Sequence, residues 1–155
     1  MNTILILNDI RSTHNVGAIF RTADAAGISK IFLVGITPAP LDRFGRERKD
    51  IAKSALGAEK TVPWESVKTI KPILNKLKKE KYKIIAIEQS PKAIDYKKVK
   101  LPNKSAIILG NEVKGLPQSI LNQCDVIAEI PMRGKKESLN VSVATGIALF
   151  RILGI

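Results

Sequence analysis

Five short runs along this chain are apolar at almost every position and rich in β-branched residues: 3–7 (TILIL), 30–34 (KIFLV), 82–87 (YKIIAI), 105–109 (SAIIL) and 126–130 (VIAEI). A strand with one wet face alternates apolar and polar residues, whereas a strand covered on both faces does not. Continuous runs of this kind, separated by helix-length segments, therefore predict a parallel sheet with helices on each side. The spacing predicts helices over 15–26, 46–55, 67–81 and 139–153. The first carries Val16, Ile19, Phe20 and Ala23 as one stripe, with Asn15 as its expected cap and Gly27 as its stop. Pro72 is compatible with the third helix only in a first turn or at a kink. Residues 35–45 hold Pro38, Pro40 and two glycines and read as a loop, and 60–62 reads as a sixth, short strand.

A chain of 155 residues is enough for one core and not for two, so 1–155 is expected to be a single domain with no separate extension. One cysteine, Cys124, cannot form an internal disulfide, which points to a reducing compartment and here to the cytoplasm. No apolar run approaches the ~20 residues of a membrane span, so no membrane partner is expected. The net charge of +12 is unevenly spread: residues 68–104 hold twelve lysines against three acids, a net +9, while 1–30, 31–67 and 105–155 hold +1 each. Such a chain is drawn to polyanions, unless the lysines are only a solvated face.

In parallel sheets ligands gather where loops leave the C-terminal ends of strands. Three loops here place polar side chains directly after an apolar strand: Asn8–Gly17 leading on to Arg21, Gly110–Pro117, and Pro131–Asn140. No G-x-G-x-x-G and no G-x-x-x-x-G-K-[ST] is present, which argues against a dinucleotide fold or a P-loop. With one His and one Cys, a zinc site or a Cys-His nucleophile pair is nearly excluded, and no metal is expected.

The three loops resemble the motifs of the SpoU/TrmH family of SPOUT RNA methyltransferases. The first is Asn8-x-x-Arg11-x-x-x-Asn15-x-Gly17-Ala18-Ile19-x-Arg21-Thr22-Ala23-Asp24, and the second is Leu109-Gly110-Asn111-Glu112-x-x-Gly115-Leu116. The third is Ile130-Pro131-Met132, then Ser138-Leu139-Asn140-Val141-Ser142-Val143-Ala144. The resemblance implies an α/β domain with a deep trefoil knot near its C-terminus, a homodimer, and S-adenosyl-L-methionine as methyl donor to a ribose 2′-hydroxyl of tRNA or rRNA. It implies that Leu109, Gly110, Ile130, Met132 and Leu139 hold the donor. It makes Arg21 the catalytic arginine, with Asn15, Glu112, Ser138 and Asn140 shaping the active site.

Each assignment has a plainer reading beside it. Arg21 could pair with Asp24 on the helix surface. As a catalyst it is either a general base, which a guanidinium suits poorly, or a charge that stabilises a developing alkoxide. Glu112 either transfers a proton or orients the N–H groups of its loop. Ser138 and Asn140 could cap the last helix. Arg11, Arg43, Arg46, Arg48 and Lys49 are candidates for RNA contact, the last four being cations within seven residues of a Pro/Gly loop. His14 has no assigned chemistry, Cys124 reads as a small buried hydrophobe, and Trp64 reads as loop packing. The last helix has two apolar stripes, one more than a single buried face requires, and the second suits a dimer. Two rival functions share these residues: a non-catalytic RNA-binding module of the same fold, and a SPOUT enzyme that methylates a base.

Overall fold

All 155 residues are described by a computed structural model. Seven strands form one sheet in which every pairing is parallel: β1 (Asn2–Asn8), β2 (Lys30–Val34), β3 (Trp64–Val67), β4 (Lys83–Ile87), β5 (Ile94–Asp95), β6 (Lys104–Leu109) and β7 (Val126–Glu129). Their order is β3-β2-β1-β6-β4-β7-β5. The longer helices are α1 (Thr13–Ala25), α2 (Lys49–Ala55) and α4 (Lys71–Lys79), which lie in crossovers between strands, and α6 (Val141–Leu153), which follows the last strand; single turns stand at α3 (Ala58–Thr61) and α5 (Gln118–Leu121).

The continuous apolar runs are explained by two cores. Leu5 and Leu7 of β1 face a 24-residue cluster under α1, α2 and α6, while Ile4 and Ile6 face a 16-residue cluster under α4 and α5. Successive side chains of a strand point to opposite faces, so both parities must be apolar. All four stripe residues expected on α1 are buried.

Several boundaries differ from expectation. α1 begins two residues earlier, because the Ser12 hydroxyl accepts the Asn15 N–H at 3.1 Å and is the cap; Asn15 lies inside the first turn, buried. The second helix starts at Lys49, not 46, because Arg46 is folded back in a turn on Asp42. Residues 60–62 are not a strand. The β-branched pair Thr61-Val62 closes the single helical turn α3, and the strand begins after Pro63, so Trp64 belongs to β3 and not to a loop. Val67 is also in β3, and the third helix is shortened to α4, with Pro72 in its first turn as its geometry demands. The last helix begins at Val141 with Asn140 as its cap. The two-residue β5, the turn that follows it and α5 are too short to leave a periodic signal.

Candidate active site

Because every strand is parallel, the loops after β1, β2, β4, β6 and β7 all leave one edge of the sheet. Three of them, those after β4, β6 and β7, enclose a cleft of about 300 Å³, a size within the range of small-molecule sites. The five residues expected to hold a donor, Leu109, Gly110, Ile130, Met132 and Leu139, all line it, and so do Glu112 and Ser138.

The loop after β6 turns back on itself: the Gly115 N–H donates to the Asn111 carbonyl at 2.9 Å, and the Asn111 side-chain oxygen accepts from the Val113 and Lys114 N–H groups, each at 2.9 Å. Gly110 is required by this closure. A Cβ there would stand 2.7 Å from both Leu116 Cγ and the Gly115 carbonyl carbon. Gly115 itself has φ +65°, a left-handed conformation that costs glycine little. The tightly closed loop after β6 thus forms one side of the cleft, and the rest of its lining mixes apolar side chains (Ile87, Ile130, Met132, Leu139) with polar ones (Glu88, Gln89, Glu129, Ser138).

Glu112 does not reach into this loop but back to the first one. Its carboxylate accepts from the Arg11 N–H at 3.0 Å, the Ser12 N–H at 3.1 Å and the Asn15 amide at 3.3 Å. Burial pushes its carboxyl up, yet these donors, together with its own N–H, outweigh that and hold it below the usual glutamate range. It sits at the N-terminal end of α1, where the helix dipole favours a negative charge.

The chain of contacts continues. The Asn15 side-chain oxygen accepts from the Asn140 amide at 3.1 Å, and the Asn140 oxygen accepts from the Ser142 and Val143 N–H groups at 2.9 and 3.3 Å, capping α6. One hydrogen-bonded line, Glu112 to Asn15 to Asn140, thus joins all three motifs across 97 and 125 residues of sequence. Ser138 lines the cleft and caps nothing.

Arg21 is not brought to this cleft. It is exposed on α1, outside the lining, and it does not pair with Asp24, which instead accepts from the Thr61 hydroxyl at 2.8 Å. The expected RNA contacts are exposed or half-buried on the same edge of the sheet, but Arg46 is paired with Asp42 at 3.0 Å and Arg48 with Asp50 at 3.0 Å. Arg43 and Lys49 have no carboxylate within 4.0 Å. His14 offers only its carbonyl, to the Ser54 hydroxyl. Burial pushes the Cys124 thiol up to about 11, so it is protonated and inert at neutral pH.

Two residues that the sequence reading passed over hold the cleft together. Glu88, directly after β4, accepts the Leu116 N–H at 2.8 Å and lies against Gly115. Its neighbour Gln89 donates from its amide to the Glu137 carbonyl. One tethers the loop after β6, the other the loop after β7. The signal was present, since Glu88-Gln89 are polar residues immediately after an apolar strand, the same feature that marked the other loops.

The site is thus a cleft of mixed polar and apolar lining at the C-terminal edge of an all-parallel α/β sheet, tied to the first loop by an amide-carboxylate line. The model of the SpoU rRNA Methylase family matches residues 2–150, and the chain belongs to that family. It is 36% identical over 146 residues to the 23S rRNA (guanosine-2′-O-)-methyltransferase RlmB of Neisseria meningitidis, covering 94% of this chain and 56% of that one. A rRNA methyltransferase from Sinorhizobium meliloti, solved with AdoMet bound, superposes with a TM-score of 0.84 at 30% identity over 97% of this chain and 55% of that one. The A. aeolicus TrmH/SpoU tRNA modifying enzyme gives 0.85 at 29% identity, covering 99% and 74%. The chain spans little more than half the length of the curated relatives it matches.

Proposed function

We propose that this chain is an S-adenosyl-L-methionine-dependent methyltransferase acting on a ribose 2′-hydroxyl of rRNA or tRNA. The observation that carries the reading is that the second and third motifs wall one cleft, and that Asn15 of the first motif is hydrogen-bonded to both, to Glu112 and to Asn140. The donor fits the residues present: Gly110 lets the loop after β6 close tightly on Gly115 and Leu116 at the cleft, and Leu109, Ile130, Met132 and Leu139 line the cleft with apolar side chains suited to an adenosine. When bound, the donor supplies a methyl group activated on a sulfonium.

The chain's own residues supply the rest. Glu112, ionised and occupied by three donors, positions the start of α1 and the Asn15 amide and has no spare role as a proton carrier. Asn15 and Asn140 fix the first and third motifs relative to each other. Ser138, lining the cleft with a free hydroxyl, orients the acceptor ribose. Arg21 stabilises the alkoxide that develops as the ribose proton leaves, a role suited to a permanently charged planar donor.

Arg21 lies outside its own chain's cleft, which supports a homodimer with composite sites. On α6 the residues Val143, Ile147 and Phe150 stay 50%, 39% and 38% exposed while the opposite stripe is buried. Thr22, next to Arg21, lies under Gly146 of that helix, so the arginine emerges beside this apolar stripe. A partner covering the stripe would bring its own cleft to Arg21. The sheet order supports a knotted C-terminal region: after β4 the chain runs out to β5, returns to β6 on one side of β4, then crosses to β7 on the other.

Calorimetry tests the donor site without RNA. One S-adenosylmethionine or S-adenosylhomocysteine should bind per chain, and Leu139→Glu should weaken it by tenfold or more, about 1.4 kcal/mol. Absence of binding at millimolar donor would overturn the enzyme reading in favour of an RNA-binding module. Nuclease-resistant dinucleotides in the RNA product separate ribose from base methylation.

A further inference from the structure

Phe44 is the most exposed aromatic side chain of the molecule, with 66% of its surface in solvent. An exposed phenylalanine on a disordered loop would mean little, but this one is mounted on a fixed turn. The Asp42 N–H donates to the Arg46 carbonyl at 2.8 Å, and the Gly45 N–H to the Asp42 carbonyl at 3.0 Å. The Asp42 carboxylate accepts from the Phe44 N–H at 2.8 Å and the Arg46 N–H at 3.0 Å. Gly45 closes the turn at φ +76°, and Leu41 bridges to Glu47 at its base. The ring is therefore presented at a set position on the loop after β2, which leaves the same edge of the sheet as the cleft.

Two guanidiniums attend it. Arg43 and Arg46 lie over the ring at 4.8 and 4.9 Å from its centre. They are not equivalent. Arg46 is pinned by its Nε bond to Asp42 at 3.0 Å, whereas the Arg43 side chain has no carboxylate partner and is free to leave. An aromatic face flanked by one fixed and one movable cation is suited to a ligand with a flat π-surface and a negative charge beside it.

We propose that Phe44 is a stacking platform for one unpaired nucleobase of the RNA, with Arg43 moving from the ring to that nucleotide's phosphate. This rests on the reading of the chain as an RNA enzyme and extends it, because it assigns recognition of single-stranded RNA to a residue outside all three motifs. Stacking tolerates any base, since each has a π-face, so the platform selects for an unpaired strand and not for a sequence. Leu41 and Ile36 on the same loop are also exposed, at 41% and 62%. The cations over the ring favour a polyanion over an apolar protein surface there.

The test uses the full chain, a short oligoadenylate, and the duplex it forms with oligouridylate. Phe44→Ala should weaken the single strand roughly five- to hundredfold, the range for losing one base–aromatic stack. Duplex affinity should change less than twofold, and the salt dependence should stay parallel to the parent's because no charge is lost. Arg43→Ala should instead make the salt dependence shallower, by roughly 0.7 in slope for one phosphate contact on a single strand. Phe44→Trp should restore binding and report it by fluorescence quenching, while Phe44→Leu should not restore it. Single-strand affinity within twofold of the parent in Phe44→Ala, rescue by leucine, or a change in oligomer size in place of RNA affinity would each overturn the platform. Calorimetry with S-adenosylhomocysteine on the same samples separates the two readings. A parent that binds donor but no RNA loses the platform and keeps the donor site; a parent that stacks RNA on Phe44 but binds no donor keeps the platform and loses the methyltransferase.

Discussion

Glu112 shows how a residue marked by sequence can change its job once its neighbours are known. As a side chain in a loop after an apolar strand it could equally carry a proton or hold a backbone. Its oxygens are taken by the Arg11 and Ser12 N–H groups and the Asn15 amide, and its carboxyl is held below the ordinary value of 4.5. The sign of the consequence follows from linkage. A depressed carboxyl contributes stability that is fully present above its unfolded value and is lost as pH falls through its folded one. Glu112→Gln should therefore lower the urea midpoint at neutral pH, and its gap to the parent should close as pH drops to and below about 4.5. A gap that stays constant from pH 7 to 3 would mean the ionised form is not what the fold uses. For catalysis, the orienting role predicts that the glutamine variant loses rate without moving the pH at which rate is half-maximal, whereas a proton carrier would move it.

At the scale of elements, what could be read from sequence depended on how long each signal was. The five apolar runs became central strands because each is long enough to be apolar on both faces, and the stripe of α1, Val16 to Ala23, is legible over about two turns. β5 has two residues and α5 has four, and neither length carries a period. The error at 60–62 has the same origin: two β-branched residues suffice to suggest a strand and also suffice to end a helical turn. Caps were misjudged at α1, where Ser12 and Asn15 are both good caps and only the geometry chooses. In the site, the second and third motifs mark walls of the cleft, but the tethers Glu88 and Gln89 lie in a segment with no motif, and the first motif marks Arg21 without its place relative to the cleft. The tethers yield a prediction. Removing the Glu88 carboxylate leaves the Leu116 N–H, on a residue only 6% exposed, without its acceptor. Glu88→Ala should cost about 1–3 kcal/mol of stability and weaken donor binding about tenfold, or 1.4 kcal/mol. Gln89→Ala, at an exposed residue, should leave stability unchanged and weaken the donor less. If Glu88→Ala loses stability but keeps donor affinity once folded, the tether holds the fold and not the site.

For the whole molecule the question is whether one chain is a complete enzyme. The structure separates Arg21 from the cleft of its own chain and leaves an apolar stripe on α6 beside it, so the dimer reading makes each active site from two chains. Complementation tests this directly. One subunit carries Arg21→Ala with intact donor loops; the other keeps Arg21 and carries Leu139→Glu, which blocks its donor site. Each homodimer should be inactive. In a mixed dimer the arginine of the second subunit meets the intact cleft of the first, so one site carries neither defect and the other carries both. Random mixing in equal amounts gives half mixed dimers with one good site of two, hence roughly a quarter of the parent activity. Sites confined to single chains predict no recovery at any ratio. Subunit exchange is established independently by mass or by tag pull-down. Mixed dimers that form and stay inactive would return Arg21 to its own chain, and would require a movement of α1 to carry it to the donor.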